Sequence, residues 1–193
     1  MPSLEDVESR LKNEGSKVAD VGCGHGVTTI LMARAYPNAK IVGFDYHRPS
    51  VEWARKQADK EGLQNITFEV AQASDYPGED YDLVALFDCF HDMGDPVGAA
   101  KHALQTPKNK DGTLMLVEPF ANNKVEDNLN PIGRLFYSAS SVVCVPASLN
   151  ENGSALGAQA GEERIAETIK SAGFSRFRRA AQTPFNFVFE ART

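Results

Sequence analysis

Apolar residues along this chain follow two periods. Leu4, Val7 and Leu11 recur at helical spacing between Ser3, a capping residue type, and Gly15, a stop, and predict a short helix over 4–14. From residue 17 onward, short apolar runs alternate with helical stretches. The runs "KVADVG" (17–22), "KIVGFD" (40–45), "ITFEVA" (66–71), "YDLVALF" (81–87) and "GTLMLVEP" (112–119) predict strands. The segments 27–35, 50–61 and 95–105 predict helices, the second opening on Pro49 and Ser50 in capping positions. Apolar strands separated by helices of this length predict a parallel sheet covered on both faces, with right-handed crossovers.

After residue 119 the rhythm breaks. Residues 120–160 contain a polar loop "ANNKVEDNLNP", an apolar segment "IGRLFYSASSVVCVPASL" and a Gly/Ser/Ala-rich stretch. A connection of this length inside a compact domain predicts a lid or binding insertion. The pattern resumes with a helix over 162–173, then "FSRFRRAAQ" and "FNFVFEAR" with a short Thr183–Pro184 connector, which predict an antiparallel hairpin. The expected architecture is an α/β doubly wound, mostly parallel sheet with an antiparallel hairpin at one edge, in a single domain over 1–193.

Composition narrows the function classes. A formal charge of -6, from 26 acidic against 20 Lys plus Arg, with basic residues scattered apart from "RFRR" at 176–179, argues against nucleic acid as the main partner. Cys23, Cys89 and Cys144 are too few and too far apart for a disulfide framework or a thiolate metal site, so no metal is expected and a reducing, cytoplasmic setting fits. The polar, acidic N-terminus and the lack of a long uninterrupted apolar run predict neither a signal peptide nor a membrane span.

The candidate chemistry begins at "DVGCGHG", at the end of the first predicted strand, where ligands bind in such sheets. Gly22, Gly24 and Gly26 alternate, so the main chain can turn tightly and approach a ligand without intervening Cβ atoms. The lysine and hydroxyl residue of a P-loop are missing. Asp45, ending the second strand, stands at a spacing close to the roughly 20 residues of a ribose-binding acid. A dinucleotide enzyme, such as an NAD-linked dehydrogenase, therefore stays open, although the third glycine comes one place early for that fingerprint. Asp20, inside the first strand, is poor company for a pyrophosphate and good company for a cationic ligand.

These features together resemble the class I S-adenosylmethionine-dependent methyltransferases, over roughly residues 15–193. That family has an acid two places before GxGxG, here "DVGCGHG", an acid ending strand two, here "GFDY", and a terminal antiparallel hairpin on a Rossmann-like sheet. The resemblance implies S-adenosylmethionine as cofactor, with S-adenosylhomocysteine as product. It implies that Gly22, Cys23, Gly24 and Gly26 form the cofactor turn, that Asp20 supports the amino group and that Asp45 holds the ribose hydroxyls. By the same resemblance Tyr46 packs on adenine, Gln72 replaces the usual adenine-binding acid in "VAQASDYPG", and Ala73 and Phe87 complete the cofactor site.

"LFDCFHDMGDP" (86–96) is the second informative stretch. It sets His91 and Asp92 at the carboxyl edge after strand four, where a neutral imidazole could take a proton from an acceptor hydroxyl, while Asp92 and Asp95 stand where helix caps are found. The segment resembles the "HDW-x-D" pattern of small-molecule O-methyltransferases, with His91 at the general base and Met93 in place of the tryptophan. That likeness implies that Glu118 orients His91 and that the acceptor is a small, hydrophobic or aromatic molecule. Leu135, Phe136, Tyr137, Val142 and Val143 are expected to supply apolar walls from the insertion. Relatives of that kind carry a dimerising N-terminal domain, so a homodimer or an N-terminal domain outside this sequence is also expected. A non-enzymatic cofactor-binding or dimerisation module is the remaining alternative.

Overall fold

The computed structural model describes residues 1–107 and 112–193. The apolar runs become β1 (Lys17–Val21), β2 (Lys40–Asp45), β3 (Ile66–Val70), β4 (Leu83–Phe87) and β5 (Thr113–Pro119), followed by β6 (Arg176–Gln182) and β7 (Asn186–Arg192). They pair in one sheet of order β3-β2-β1-β4-β5-β7-β6. β1 to β5 are parallel, and β7 enters antiparallel between β5 and β6. The expected mixed sheet with its edge hairpin is therefore present. The central strands β1, β4 and β5 are nearly continuously buried, whereas β3 and β6 at the two edges expose much of their length. That contrast matches their sequences, since uniform apolar runs suit strands covered on both faces.

Helices cover both faces. α1 (Val7–Leu11), α2 (Val27–Ala35) and α3 (Arg48–Glu61) contribute Leu11, Ile30 and Val51 to one core with Val18, Ile41 and Leu83. α4 (Pro96–Gln105) and α7 (Gly161–Ser171) contribute Ala100, Ala103, Ile165 and Ile169 to the other, with Ala19, Val21, Leu114 and Leu116. Val18 and Ala19 thus serve opposite cores, as the alternating faces of a strand require. α1 is shorter than expected, because Asp6 at its N-cap adopts a left-handed conformation (φ 56°), although Leu4 is still buried.

The insertion is not an irregular loop. It forms a 3-10 turn at Val125–Asn128, then α5 (Pro131–Val142) and α6 (Cys144–Asn150). Asn130 caps α5, its Oδ1 accepting from Ile132 and Gly133 N–H at 3.0 and 2.9 Å. Contrary to the expectation that no stretch is apolar enough, Pro131–Asn150 has the length and hydropathy to cross a membrane by composition alone. Its inner side carries buried Ser140, Cys144 and Ser148 and packs beside the carboxyl edge of the sheet.

Gly26 shows how closely the glycine turn is built into the fold. It starts α2 at φ 77°, and a Cβ there would lie 2.7 Å from Ala54 Cβ and from the Phe68 ring. Left-handed strain and overpacking act together, so Gly26→Ala should lower stability by about 2–4 kcal/mol. Urea denaturation of the two proteins checks this, and a loss under about 1 kcal/mol would contradict the packing described.

Candidate active site

The strand order reverses between β1 and β4, and the candidate residues gather beyond the carboxyl ends of the strands near that point. Gly22 and Cys23 N–H both donate to Phe44 O, at 2.8 and 3.0 Å, which fastens the glycine turn to β2. Asp45 fastens it again. Its Oδ2 accepts from Gly24 N–H and its Oδ1 from His47 N–H, both at 2.8 Å, so one carboxylate joins the turn after β1 to the entry of α3.

Asp20 is fully buried in β1. Its Oδ2 accepts from the Thr28 and Thr29 hydroxyls at 2.8 and 2.6 Å, while Oδ1 is buried with no partner. Burial outweighs these hydrogen bonds and pushes its pKa up to about 6. Gly24 has no atom within 4 Å of where a Cβ would stand, leaving its outer side open.

A cavity of about 470 Å³ opens in front of these elements, within the size range of small-molecule sites. Gly22, Asp45, Tyr46, Gln72 and Ala73 line it as expected, together with Ser74, Cys89, Asp92, Met93 and Glu151. The other expected cofactor residues, Asp20, Cys23, Gly24, Gly26 and Phe87, are not among the residues lining it. Cys23 is buried in the core and faces Gly43, Gly26 starts α2, and Phe87 packs against the core that contains Leu83 and Met115.

The walls expected from the insertion also differ. Leu135 and Val142 point outward, at 58% and 74% exposure, and of the five apolar residues named from the sequence only Val143 lines the cavity. The inner side of α6 is polar instead. Ser148 Oγ donates to Met93 O at 2.9 Å, and Glu151 Oε2 accepts from Gly94 N–H at 3.1 Å, so the insertion is bonded to the "HDMGD" loop.

Asp88, in a left-handed conformation (φ 54°), turns the chain out of β4 into a 3-10 turn at Phe90–Asp92. Glu118 of β5 is buried beneath this turn. Its Oε1 accepts from Phe90 N–H at 3.1 Å and its Oε2 from His91 Nδ1 at 2.6 Å. The other ring nitrogen, Nε2, stands 3.0 Å from Asp92 Oδ1, an ion-pair distance without hydrogen-bond alignment. Burial disfavours a charged imidazole, but the carboxylates of Asp92 and Glu118 outweigh it and push the His91 pKa up to about 11. The surroundings of the ring thus favour a charged imidazole over the neutral one expected. Asp95 does cap α4, accepting from Gly98 N–H at 2.7 Å, whereas Asp92 serves His91.

The fold and the glycine–acid site define a class I methyltransferase. Residues 12–173 match the methyltransferase domain family, and the chain belongs to that family. Its fold is that of an O-methyltransferase family protein from Burkholderia thailandensis, with a TM-score of 0.73 at 20% identity, covering 98% of this chain and 53% of that one. It is also that of human N-acetylserotonin methyltransferase in complex with S-adenosylmethionine, with a TM-score of 0.68 at 22% identity, covering 97% and 51%. Among curated proteins, ribosomal RNA small subunit methyltransferase C of Haemophilus influenzae is 32% identical over 118 residues, which cover 59% of this chain and 34% of that protein. The chain thus spans about half or less of the length of these relatives.

S-adenosylmethionine is the cofactor of the family, and the residues present fit it. The partnerless buried Oδ1 of Asp20 suits a charge-assisted donor, and the open side of Gly24 admits a ligand against backbone. Thr28 and Thr29, which hold the other Asp20 oxygen, were not singled out in the sequence. Their positions at the start of the helix after the glycine turn were the available signal.

Asp20 makes a testable contribution to stability. Its folded pKa lies above the unfolded value, so the native state binds the extra proton and stability falls as pH rises through about 6. At pH 8 the ionised group costs on the order of 3 kcal/mol. Asp20→Asn should therefore flatten the pH dependence of stability between about pH 4 and 7 relative to wild type, without destabilising the protein at pH 8. Urea denaturation across that range is the measurement, and parallel curves for the two proteins would contradict the buried charge.

Proposed function

We propose that the chain catalyses S-adenosylmethionine-dependent methyl transfer to the oxygen of a small, hydrophobic or aromatic acceptor. The observation that carries this reading is one cavity lined both by Gly22 and Asp45 and by Asp92, Met93, Gly94 and Asp95 of the "HDMGD" loop. S-adenosylmethionine, when bound, supplies an electrophilic methyl group. Asp20 and Asp45 hold its amino and ribose groups in this reading, and Tyr46 and Gln72 flank its base. Met93, Val143 and Ala147 supply apolar surface that excludes water from the acceptor.

Glu118 fixes the Nδ1 proton of His91, which directs Nε2 at the acceptor side. For His91 to act as base, Asp92 must swing away and the acceptor hydroxyl take its place. Asp92 is half-buried and pairs with Nε2 out of hydrogen-bond alignment, which favours such an exchange. A net charge of -6 and carboxylates at Asp92, Asp95 and Glu151 favour a small acceptor over RNA. The same carboxylates favour an amine acceptor as a second reading. Outward Leu135, Val142 and Leu149 favour burial of the insertion against a second copy or another domain, and three free cysteines fit a cytoplasmic setting.

Two measurements test this. Calorimetry with S-adenosylhomocysteine should find Asp45→Ala weaker than wild type by at least about 1.5–3 kcal/mol, since both a ligand contact and the tie to Gly24 are lost. Equal affinity would remove Asp45 from the cofactor site. With a hydroxyl acceptor of high pKa, His91→Gln should lose roughly 100- to 10,000-fold in turnover. Wild-type turnover should rise with pH above neutrality, because the base must first lose a proton held at a pKa of about 11. Asp92→Asn, which removes one of the stabilising carboxylates, should move that rise to lower pH. A His91→Gln enzyme within about threefold of wild type would reject His91 as the base.

A further inference from the structure

Folding brings a soft donor to His91 and Asp92 from far along the chain. Cys144, buried at the start of α6, joins them so that the ligand atoms of the three residues all lie within 4.8 Å of one another. Glu118 occupies Nδ1 of His91 at 2.6 Å, which leaves Nε2 as the ring atom directed at this cluster. Asp92 Oδ1 is buried beside it with no hydrogen-bond partner.

We propose that His91, Asp92 and Cys144 bind a divalent cation of the zinc type. One imidazole, one carboxylate and one thiolate make a donor set suited to zinc, whereas magnesium and calcium take oxygen ligands. Three protein ligands with a fourth position open to water is the arrangement of an accessible zinc site, and the adjoining cavity, which Asp92 lines, supplies that opening.

Glu118 is the second feature that belongs to such a site. A histidine that ligates a metal through one nitrogen usually donates the other N–H to a carboxylate, which fixes the ring and raises its basicity. Glu118 makes that contact from β5, a rigid central strand. Bonds of about 2.0–2.3 Å set tetrahedral ligand atoms roughly 3.5 Å apart, so closure by about 1 Å completes the site. His91 Nε2 and Asp92 Oδ1 already stand 3.0 Å apart, so that closure falls on Cys144 Sγ.

On binding, Cys144 gives its thiol proton to solvent and His91 gives up its Nε2 proton, and no redox step is involved. An ion here occupies the Nε2 lone pair on which the general-base reading depends. In that reading the cation is an inhibitor of methyl transfer rather than a participant. The sequence pointed to no metal, because the cysteine is remote from the "HD" pair until α6 folds against the turn that bears it.

The test uses the whole chain, stripped of metal, kept reduced with a phosphine and titrated with Co²⁺. One ion should bind per chain, with the visible bands of a four-coordinate site and a thiolate-to-cobalt charge-transfer band in the near ultraviolet, and Zn²⁺ should displace it. Cys144→Ser should lose the charge-transfer band and Cys23→Ser should keep it. Glu118→Gln should weaken binding about 10- to 100-fold. Wild-type protein with no such band, or a band that survives in Cys144→Ser, overturns the proposal. Should Cys144→Ser fail to fold by circular dichroism, Asp92→Asn decides, since unchanged cobalt affinity in that variant also overturns it. The readout is spectral and needs neither cofactor nor turnover, so it succeeds or fails independently of the methyl-transfer reading.

Discussion

Two carboxylates buried under the carboxyl edge of the sheet, Asp20 in β1 and Glu118 in β5, are the constraint around which the rest of the site is arranged. A charge removed from water is costly unless it is paired or hydrogen-bonded, and the two are accommodated differently. Asp20 has only the neutral hydroxyls of Thr28 and Thr29 and keeps one oxygen without a partner, so burial raises its pKa to about 6. Glu118 has the His91 ring and a backbone N–H. Burial raises the Glu118 pKa as well, but both of its oxygens are engaged within the chain, whereas one oxygen of Asp20 is not.

Short polar ties join the elements around these two acids. Asp45 links the glycine turn to α3, Ser148 and Glu151 link α6 to the "HDMGD" loop, and Gly157 N–H donates to His91 O at 3.1 Å. Each tie involves a few backbone groups at a cavity margin. Such contacts define geometry, yet can be exchanged for ligand contacts at little cost compared with opening either core. Asp20 and Glu118 thus stand on central strands of the sheet, while the cavity margin is held by these ties.

The fold was largely legible because its signals are local. Apolar runs of strand length, helices of regular period and a glycine turn determine a doubly wound sheet with few competing topologies. Asp45, Tyr46 and Gln72 were legible for the same reason, since each follows directly on the end of a strand and so must stand at the ligand edge. Cys23 and Phe87 stand at the same edge but their side chains pack into the core, because adjacency to the edge does not say which way a side chain points. Cys23 turns into the space beside Gly43, which it shares with the Phe68 ring. The insertion was hardest to read. Its apolar residues suggest inward walls, yet Leu135 and Val142 face out and the small polar residues Ser140 and Ser148 face in, where they bond the backbone of Met93 and Ala158.

His91 is where local and tertiary information conflict most. Its sequence position suits a base, but its protonation depends on Glu118 and Asp92, one of them on a strand remote in sequence. Removing Asp92 from Nε2 leaves a Glu118–His91 pair whose ring still carries the Nδ1 proton and is less strongly held as a cation. The contact between Nε2 and Asp92 thus sets how firmly the second ring proton is held, while Glu118 keeps the ring where it is.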